Sequence, residues 1–303
     1  SYRGYINAIN IKEFQEQKRG GKGIIGTMLT EDDYVSKMLI CSTHDTIIFI
    51  TNRGNAYVLK AYTIPKSSRY GRGKHISNLI PIKQEEKIKT LILWRVEESI
   101  ENKFLIIATK KGMIKKLKLE ELKNLKKSGI RIIKIPFDDE VVEASVIDSD
   151  IDIIIVTKKG LAIRFNTSDV RAMGRNAYGV RAIKLKEDEV VDMAIANMPY
   201  LLTITNKGYG KKSKVEDYRK TRRDGKGIKN VVISNRNGYV IGVKSISEED
   251  SIMIITKKGM IIRFNSKDIR IMGRATQGVK IINLKKDDEV IDVDICLLYT
   301  SDA

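Results

Sequence analysis

Ile47-Ile48-Phe49-Ile50-Thr51-Asn52-Arg53-Gly54-Asn55-Ala56-Tyr57-Val58-Leu59 is the stretch whose reading decides the fold. Two short runs of β-branched, aliphatic and aromatic residues flank a Thr-x-x-Gly turn. This is the pattern of a β-hairpin, and the glycine supplies the positive φ that the last turn position demands. The turn recurs at Thr109-Lys110-Lys111-Gly112, Thr157-Lys158-Lys159-Gly160, Thr205-Asn206-Lys207-Gly208 and Thr256-Lys257-Lys258-Gly259, and Ser1-Tyr2-Arg3-Gly4 is a truncated sixth copy. The turn glycines at 4, 54, 112, 160, 208 and 259 are separated by 50, 58, 48, 48 and 51 residues. A period of that size marks a repeat architecture.

Each repeat has two further landmarks. Fifteen residues after the turn glycine stands a cation, Arg19, Arg69, Lys127, Arg175, Arg223 or Arg274, and in five repeats a second glycine follows four positions later, at 23, 73, 179, 227 and 278. The third repeat has Gly129 two positions early, so its loop is short. An acidic turn precedes the next strand, as in Asp139-Glu140-Val141-Val142, Asp188-Glu189-Val190-Val191 and Asp288-Glu289-Val290-Ile291, with looser versions at Glu31-Asp32-Asp33 and Glu85-Glu86.

About 50 residues with four short strands make one blade of a radial β architecture. The expectation is one all-β domain over residues 1–303, a six-bladed, propeller-like disc of four-stranded antiparallel blades. Helical repeats would need apolar residues at 3.6 spacing over ten or more positions. Only Leu117 to Lys127 approaches that, and it reads as a short helical turn or loop. The extra length of the second repeat falls in a polar insertion near Glu97 to Lys103. The sequence opens on the first hairpin turn. By register, Leu297-Leu298-Tyr299-Thr300-Ser301 takes the place of Leu201 to Thr205, so the tail either supplies the missing strand against Gly4 to Ile9 or is a frayed end.

With 42% hydrophobic residues and four prolines, the 303-residue chain has material for a sizeable core. Its 56 Lys and Arg against 38 Asp and Glu give a formal charge of +18, which points to a polyanion as partner; genomic codon bias is the bland alternative. Cys41 and Cys296 have no metal-site or disulfide-framework spacing, and no apolar run is long enough for a signal or a membrane span. A cytoplasmic, monomeric domain is expected.

In a radial arrangement, residues at one register share one rim. Arg19, Arg69, Arg175, Arg223 and Arg274 would form a curved cationic track, thickened by Lys22, Arg72, Lys74, Arg181, Arg222, Lys226 and Lys280. Such contacts carry little base information and bind with a steep salt dependence. Bending duplex around a disc costs several kcal/mol per tight arc, roughly, and many cations must offset it. For any one turn Lys or Arg, ordinary solvated surface is the competing reading.

Gln17-Lys18-Arg19-Gly20-Gly21-Lys22-Gly23 combines three glycines with three cations, a flexible loop in which amides and charges approach phosphates closely. It has neither the Walker A ending nor the βαβ context of a nucleotide fingerprint. The heptad resembles the signature box of the C-terminal domain of bacterial DNA gyrase A subunits, Gln-Arg-Arg-Gly-Gly-Lys/Arg-Gly, with Lys18 where arginine is usual. Ser42-Thr43-His44-Asp45, Thr51 to Gly54, Ile64-Pro65 and Arg72-Gly73 resemble the same family, and the likeness runs through all six repeats.

That resemblance implies a β-pinwheel with exchanged strands that wraps duplex DNA around its edge, the box giving the wrap its chirality and so enabling negative supercoiling. It also implies that the cleaving tyrosine, the metal and ATP belong to the rest of an A2B2 gyrase, so that this domain has no cofactor and no catalysis of its own. Topoisomerase IV subunits share the blades but generally lack the box. A substrate-positioning domain of that type, or a propeller-like protein-interaction platform, is the alternative. The residues agree with a non-enzyme: only His44 and His75 occur, and no nucleophile elbow or metal-ligand cluster is present.

Overall fold

The turn threonine does what its position requires. Gly54 N donates to Thr51 O at 3.0 Å and Gly112 N to Thr109 O at 2.9 Å, while the amides of Asn55 and Met113 donate across the turn to the threonine hydroxyls at 3.2 Å. Gly54 holds φ at +76°, and a Cβ there would lie 2.7 Å from the Ile133 carbonyl oxygen. The residues between Thr and Gly vary for a reason visible in the acidic turn. Beside Thr-Lys-Lys-Gly, Asp139 accepts from the Thr109 hydroxyl (2.7 Å) and Lys111 N (2.9 Å); Asp288 does the same for Thr256 and Lys258. In the two Thr-Asn repeats the turn asparagine bonds back instead: Lys87 N donates to Asn52 Oδ1 and Tyr239 N to Asn206 Oδ1, both at 2.9 Å.

A computed structural model describes residues 1–13, 24–25, 33–68, 71–94 and 99–296, with the backbone alone at 24, 25 and 296. Among them the strands form five four-stranded antiparallel sheets and one two-stranded sheet. The third repeat is representative. Its hairpin, Phe104–Thr109 and Met113–Lys118, is joined on one side by its own Val141–Ile147 and on the other by Val180–Arg181 of the fourth repeat.

Every complete blade borrows its last strand in this way. Ile130–Arg131, Ile228–Lys229 and Val279–Lys280 join the blades of the preceding repeats, and Ile24–Ile25 of the first repeat pairs with Met260–Asn265 of the sixth. The exchange is therefore cyclic.

Among the described residues five of the expected six blades are complete. The first repeat contributes Tyr5–Ile6, paired with Lys74–His75, as a two-stranded sheet. No hairpin partner for Tyr5–Ile6 lies among the described residues, and residues 33–40 accordingly have no strand pairing. The tail at 297–303 is outside the described residues. Leu117 to Lys127 contains a single 3₁₀ turn, Leu119–Leu122, as expected. Among the described residues no helix is long and apolar enough to cross a membrane.

The central hairpin strands are buried on both faces, which is why they read as unbroken aliphatic runs. Ile48 and Ile50 pack against Leu105 and Ile107 of the next blade, Ile106 and Ala108 against Ile153 and Ile155, and Leu202 and Ile204 against Ile252 and Ile254. The first repeat seals the ring by laying Ile9, Ile11, Val35, Met38 and Ile40 on Met253, Ile255 and Ile261 of the last.

The third strand of each blade is innermost. One register of it, two residues from its start, brings Thr90, Glu143, Asp192, Gly242 and Asp292 together, with Lys37 of the first repeat in the sixth place. Lys37 Nζ reaches Asp292 Oδ1 at 3.3 Å and Glu143 Oε2 at 3.9 Å. Contact between the first, third and sixth repeats is possible only at the axis. Burial disfavours the Lys37 ammonium, but Asp292, Glu143 and Asp192 outweigh it and raise its pKa. Burial pushes the Asp192 and Asp294 carboxyls up to about 6 against the pull of Lys244 and Lys37.

Candidate nucleic-acid interface

After each hairpin a 3₁₀ turn redirects the chain toward the preceding repeat. Asn166 and Asn265 cap two of these turns, accepting from Ser168 N at 3.0 Å and Lys267 N at 2.9 Å. The crossing segment then docks on the neighbouring hairpin: Met173 N donates to Lys116 O, Thr221 N to Arg164 O and Met272 N to Lys212 O, at 2.8–2.9 Å. It passes the basic register and ends in the borrowed two-residue edge strand. The second glycine permits close backbone approach there, since a Cβ on Gly179 would lie 2.5 Å from Ile114 O and one on Gly278 2.7 Å from Gly210 O.

Arg72, Lys74, Arg181, Arg222, Lys226 and Lys280 are exposed along these segments and edge strands. Arg175, Arg223 and Arg274 are half-buried and engaged. Arg223 donates from Nε to Asp169 O and from Nη1 to Arg181 O, both at 3.1 Å, and Arg274 Nη1 donates to Lys229 O. Arg175 pairs with Glu121 at 3.5 Å. The arginines at 223 and 274 thus tie one repeat's loop to the edge strand borrowed from the repeat before it, and present only part of the guanidinium outward. Gln17, Lys18, Arg19, Gly20, Gly21, Lys22, Gly23 and Arg69 lie outside the described residues.

The most open register stands two residues after the second glycine, on the outermost strand. It holds His75, Arg131, Arg181, Lys229 and Lys280, the last four exposed. Arg131 and Lys229 were missed in the sequence; alignment on the second glycine rather than the first would have found them. Charged side chains on a short edge strand also guard against edge-to-edge pairing.

Cations on the axial face are engaged differently. Lys89 meets Glu140 (3.2 Å), Lys110 meets Glu140 (3.6 Å) and Glu189 (3.1 Å), Lys158 meets Glu189 (2.9 Å), and Lys257 meets Glu289 (3.5 Å). Tyr239 joins Lys158 (4.8 Å from the ring) to Glu289 (3.1 Å from the hydroxyl). Across the junction of the sixth and first repeats the links are aromatic: Lys257 near Tyr34, Tyr34 stacked on Tyr2 at 4.8 Å, and Lys87 3.6 Å over Tyr2. The face is an annulus in which Glu140 and Glu189 are each shared between two lysines and Glu289 between Lys257 and Tyr239. Among the edge-strand cations the described residues give an ion pair only to Arg181, with Asp224 at 3.7 Å. Among the described residues positive charge is therefore less compensated on the edge strands than on the axial face.

Among the described residues no three of His, Cys, Asp and Glu gather in a way that could hold a metal ion.

The family described as DNA gyrase C-terminal domain, β-propeller, matches in six consecutive stretches, residues 4–42, 45–94, 103–148, 152–197, 199–247 and 250–296. The chain belongs to this DNA gyrase C-terminal domain family. The DNA gyrase A protein of Streptococcus pyogenes serotype M1 is 47% identical over 293 residues, covering 96% of this chain and 35% of that protein. The chain thus spans about a third of the length of the curated relatives it matches. A solved gyrase A C-terminal domain superposes with a TM-score of 0.88 at 27% identity, covering 97% of this chain and 96% of that one. The C-terminal domain of DNA topoisomerase IV gives 0.73 at 26% identity, covering 97% and 90%. The six matched stretches follow the six turn glycines, so the gyrase-type repeat and the repeat read from the turns are one unit.

Proposed function

We propose that this gyrase-family domain binds duplex DNA without sequence preference, bends it and wraps it with a fixed hand around its basic perimeter, enabling gyrase to introduce negative supercoils. The observation that carries the reading is the recurrence of an exposed cation on the borrowed edge strand of four consecutive blades, at Arg131, Arg181, Lys229 and Lys280. Phosphates spaced along a bent duplex are matched by charges spaced by blade, and the self-compensated axial face gives DNA less reason to lie there. The six repeats make a six-bladed ring in this proposal. The box at 17–23 fixes the sense of the wrap, and the domain is non-catalytic. It works as part of the gyrase A protein in an A2B2 assembly whose other parts hold the cleaving tyrosine, Mg²⁺ and ATP.

The test is to incubate the domain with relaxed circular DNA and a nicking-closing topoisomerase. A shift in linking number is expected at stoichiometric protein, and its loss with binding retained when Lys18, Arg19 and Lys22 are neutralised. No shift in the parent would overturn the wrapping proposal. The likeness to the topoisomerase IV domain favours one second reading, a substrate-positioning domain, which would bind DNA in the same assay without changing linking number.

A further inference from the structure

We infer that Lys115 and Lys211 are positioning residues for the basic rim, each holding by its buried ammonium the loop that carries the next repeat's rim arginine. The inference rests on the rim being the DNA-binding surface.

Both lysines occupy the third position of the second hairpin strand, in Met113–Lys118 and Tyr209–Lys214, and both are 0% exposed. Lys115 Nζ donates to Ile132 O at 2.9 Å, Arg175 O at 2.8 Å and Ala177 O at 3.1 Å, so its three N–H groups have three carbonyl acceptors. Lys211 Nζ donates to Ser213 Oγ at 2.9 Å, Gly273 O at 3.3 Å and Arg274 O at 2.5 Å. Each therefore grips the backbone of the rim arginine itself, at 175 and 274.

The other repeats supply an internal control. At the same strand position the fourth and sixth have Ile163 and Ile262, which are buried in the same fold, and the loop opposite Ile163 is held by backbone bonds instead, Thr221 N to Arg164 O at 2.9 Å and Lys184 N to Gly225 O at 2.8 Å. An aliphatic residue satisfies the core here. A buried ammonium surrounded by neutral dipoles is costly by comparison. Burial lowers Lys115 to about 8, with Glu121 opposing, and Lys211 to about 7, with Arg274 adding to the effect and Asp217 opposing it. What the lysine adds over isoleucine is the hold on the loop and a positive charge beneath it.

The experiment compares the whole domain with Lys115→Ile and Lys211→Ile. Amide exchange without DNA is expected to quicken at least tenfold at 172–178 in the first variant and at 271–277 in the second, with the hairpin strands unchanged. Affinity for a DNA duplex should fall several-fold. In the wild type the protection of the same loops, corrected for the intrinsic rise of amide exchange with pH, should fall relative to the loop at 220–226, and affinity decline, as pH rises from 7 to 9 and the ammonium loses its third donor; each variant should lose its own loop's share of that pH dependence. Unchanged loop exchange in the variants, or wild-type loops indifferent to pH, overturns the inference. If a variant fails to fold, the wild-type pH series decides. A wild type that binds no DNA at any pH overturns the function proposed above, while loop exchange still judges the positioning role.

Discussion

A cation's place in its repeat sets how much of its charge faces outward. Arg131 and Lys229 are exposed on edge strands and make no ion pair among the described residues, so replacing either with alanine removes a proposed phosphate contact without disturbing packing. Each substitution should leave the melting temperature within about 1 °C and lower the slope of log affinity against log salt by about one unit, measured by titration at several salt concentrations. Gly54 is the opposite case. Gly54→Ala forces a side chain onto a backbone at φ +76° and onto the Ile133 carbonyl. It should cost about 2 kcal/mol or more, seen as a lower midpoint in denaturant unfolding, with salt dependence of DNA binding unaffected.

At the level of elements, the hairpins were legible because alternation, β-branching and a turn glycine are local signals. Thr46–Thr51 and Asn55–Lys60 bracket the expected Thr51-to-Gly54 turn. Strand exchange was illegible from the residues themselves. A two-residue strand such as Val180–Arg181 has no periodicity, and its partner is a different repeat. The same blindness made the fifteenth-position arginines look like pure rim charge, whereas Arg223 and Arg274 also bond to carbonyls of neighbouring segments. Arg223→Ala and Arg274→Ala should therefore lower both melting temperature and DNA affinity, by about 1 kcal/mol in stability, where Lys229→Ala lowers affinity alone. Glu121 shows the converse. It occupies Arg175, and Glu121→Gln should raise affinity two- to fivefold by freeing that guanidinium, as read by fluorescence anisotropy.

For the whole molecule, the axis sets an unusual response to pH. Glu143, Asp192, Asp292 and Asp294 gather there with Lys37 and Lys244, and the two carboxyls pushed up to about 6 are Asp192 and Asp294. A carboxyl whose folded pKa lies above its unfolded value takes up a proton on folding. The stability it withholds is full above pH 6 and is regained as pH falls toward 4. Asp294→Asn should raise the melting temperature by about 2–4 °C at pH 7.5, corresponding to about 1–2 kcal/mol, and the gain should shrink steadily between pH 6 and pH 4 in calorimetry. These charges escaped the sequence reading because their common register becomes visible only when blades are stacked around an axis. The cyclic exchange also imposes an order of assembly during synthesis. Ile24–Ile25 leaves the ribosome early, yet its partner, Met260–Ile261, follows on the order of ten seconds or more later at ordinary elongation rates. Until then the final blade has no outer strand and the first repeat is held from the second repeat alone, through Tyr5–Ile6 on Lys74–His75. The seam between the first and sixth repeats is therefore the last to close, and a nascent chain stalled before residue 260 presents an open arc rather than a smaller finished disc.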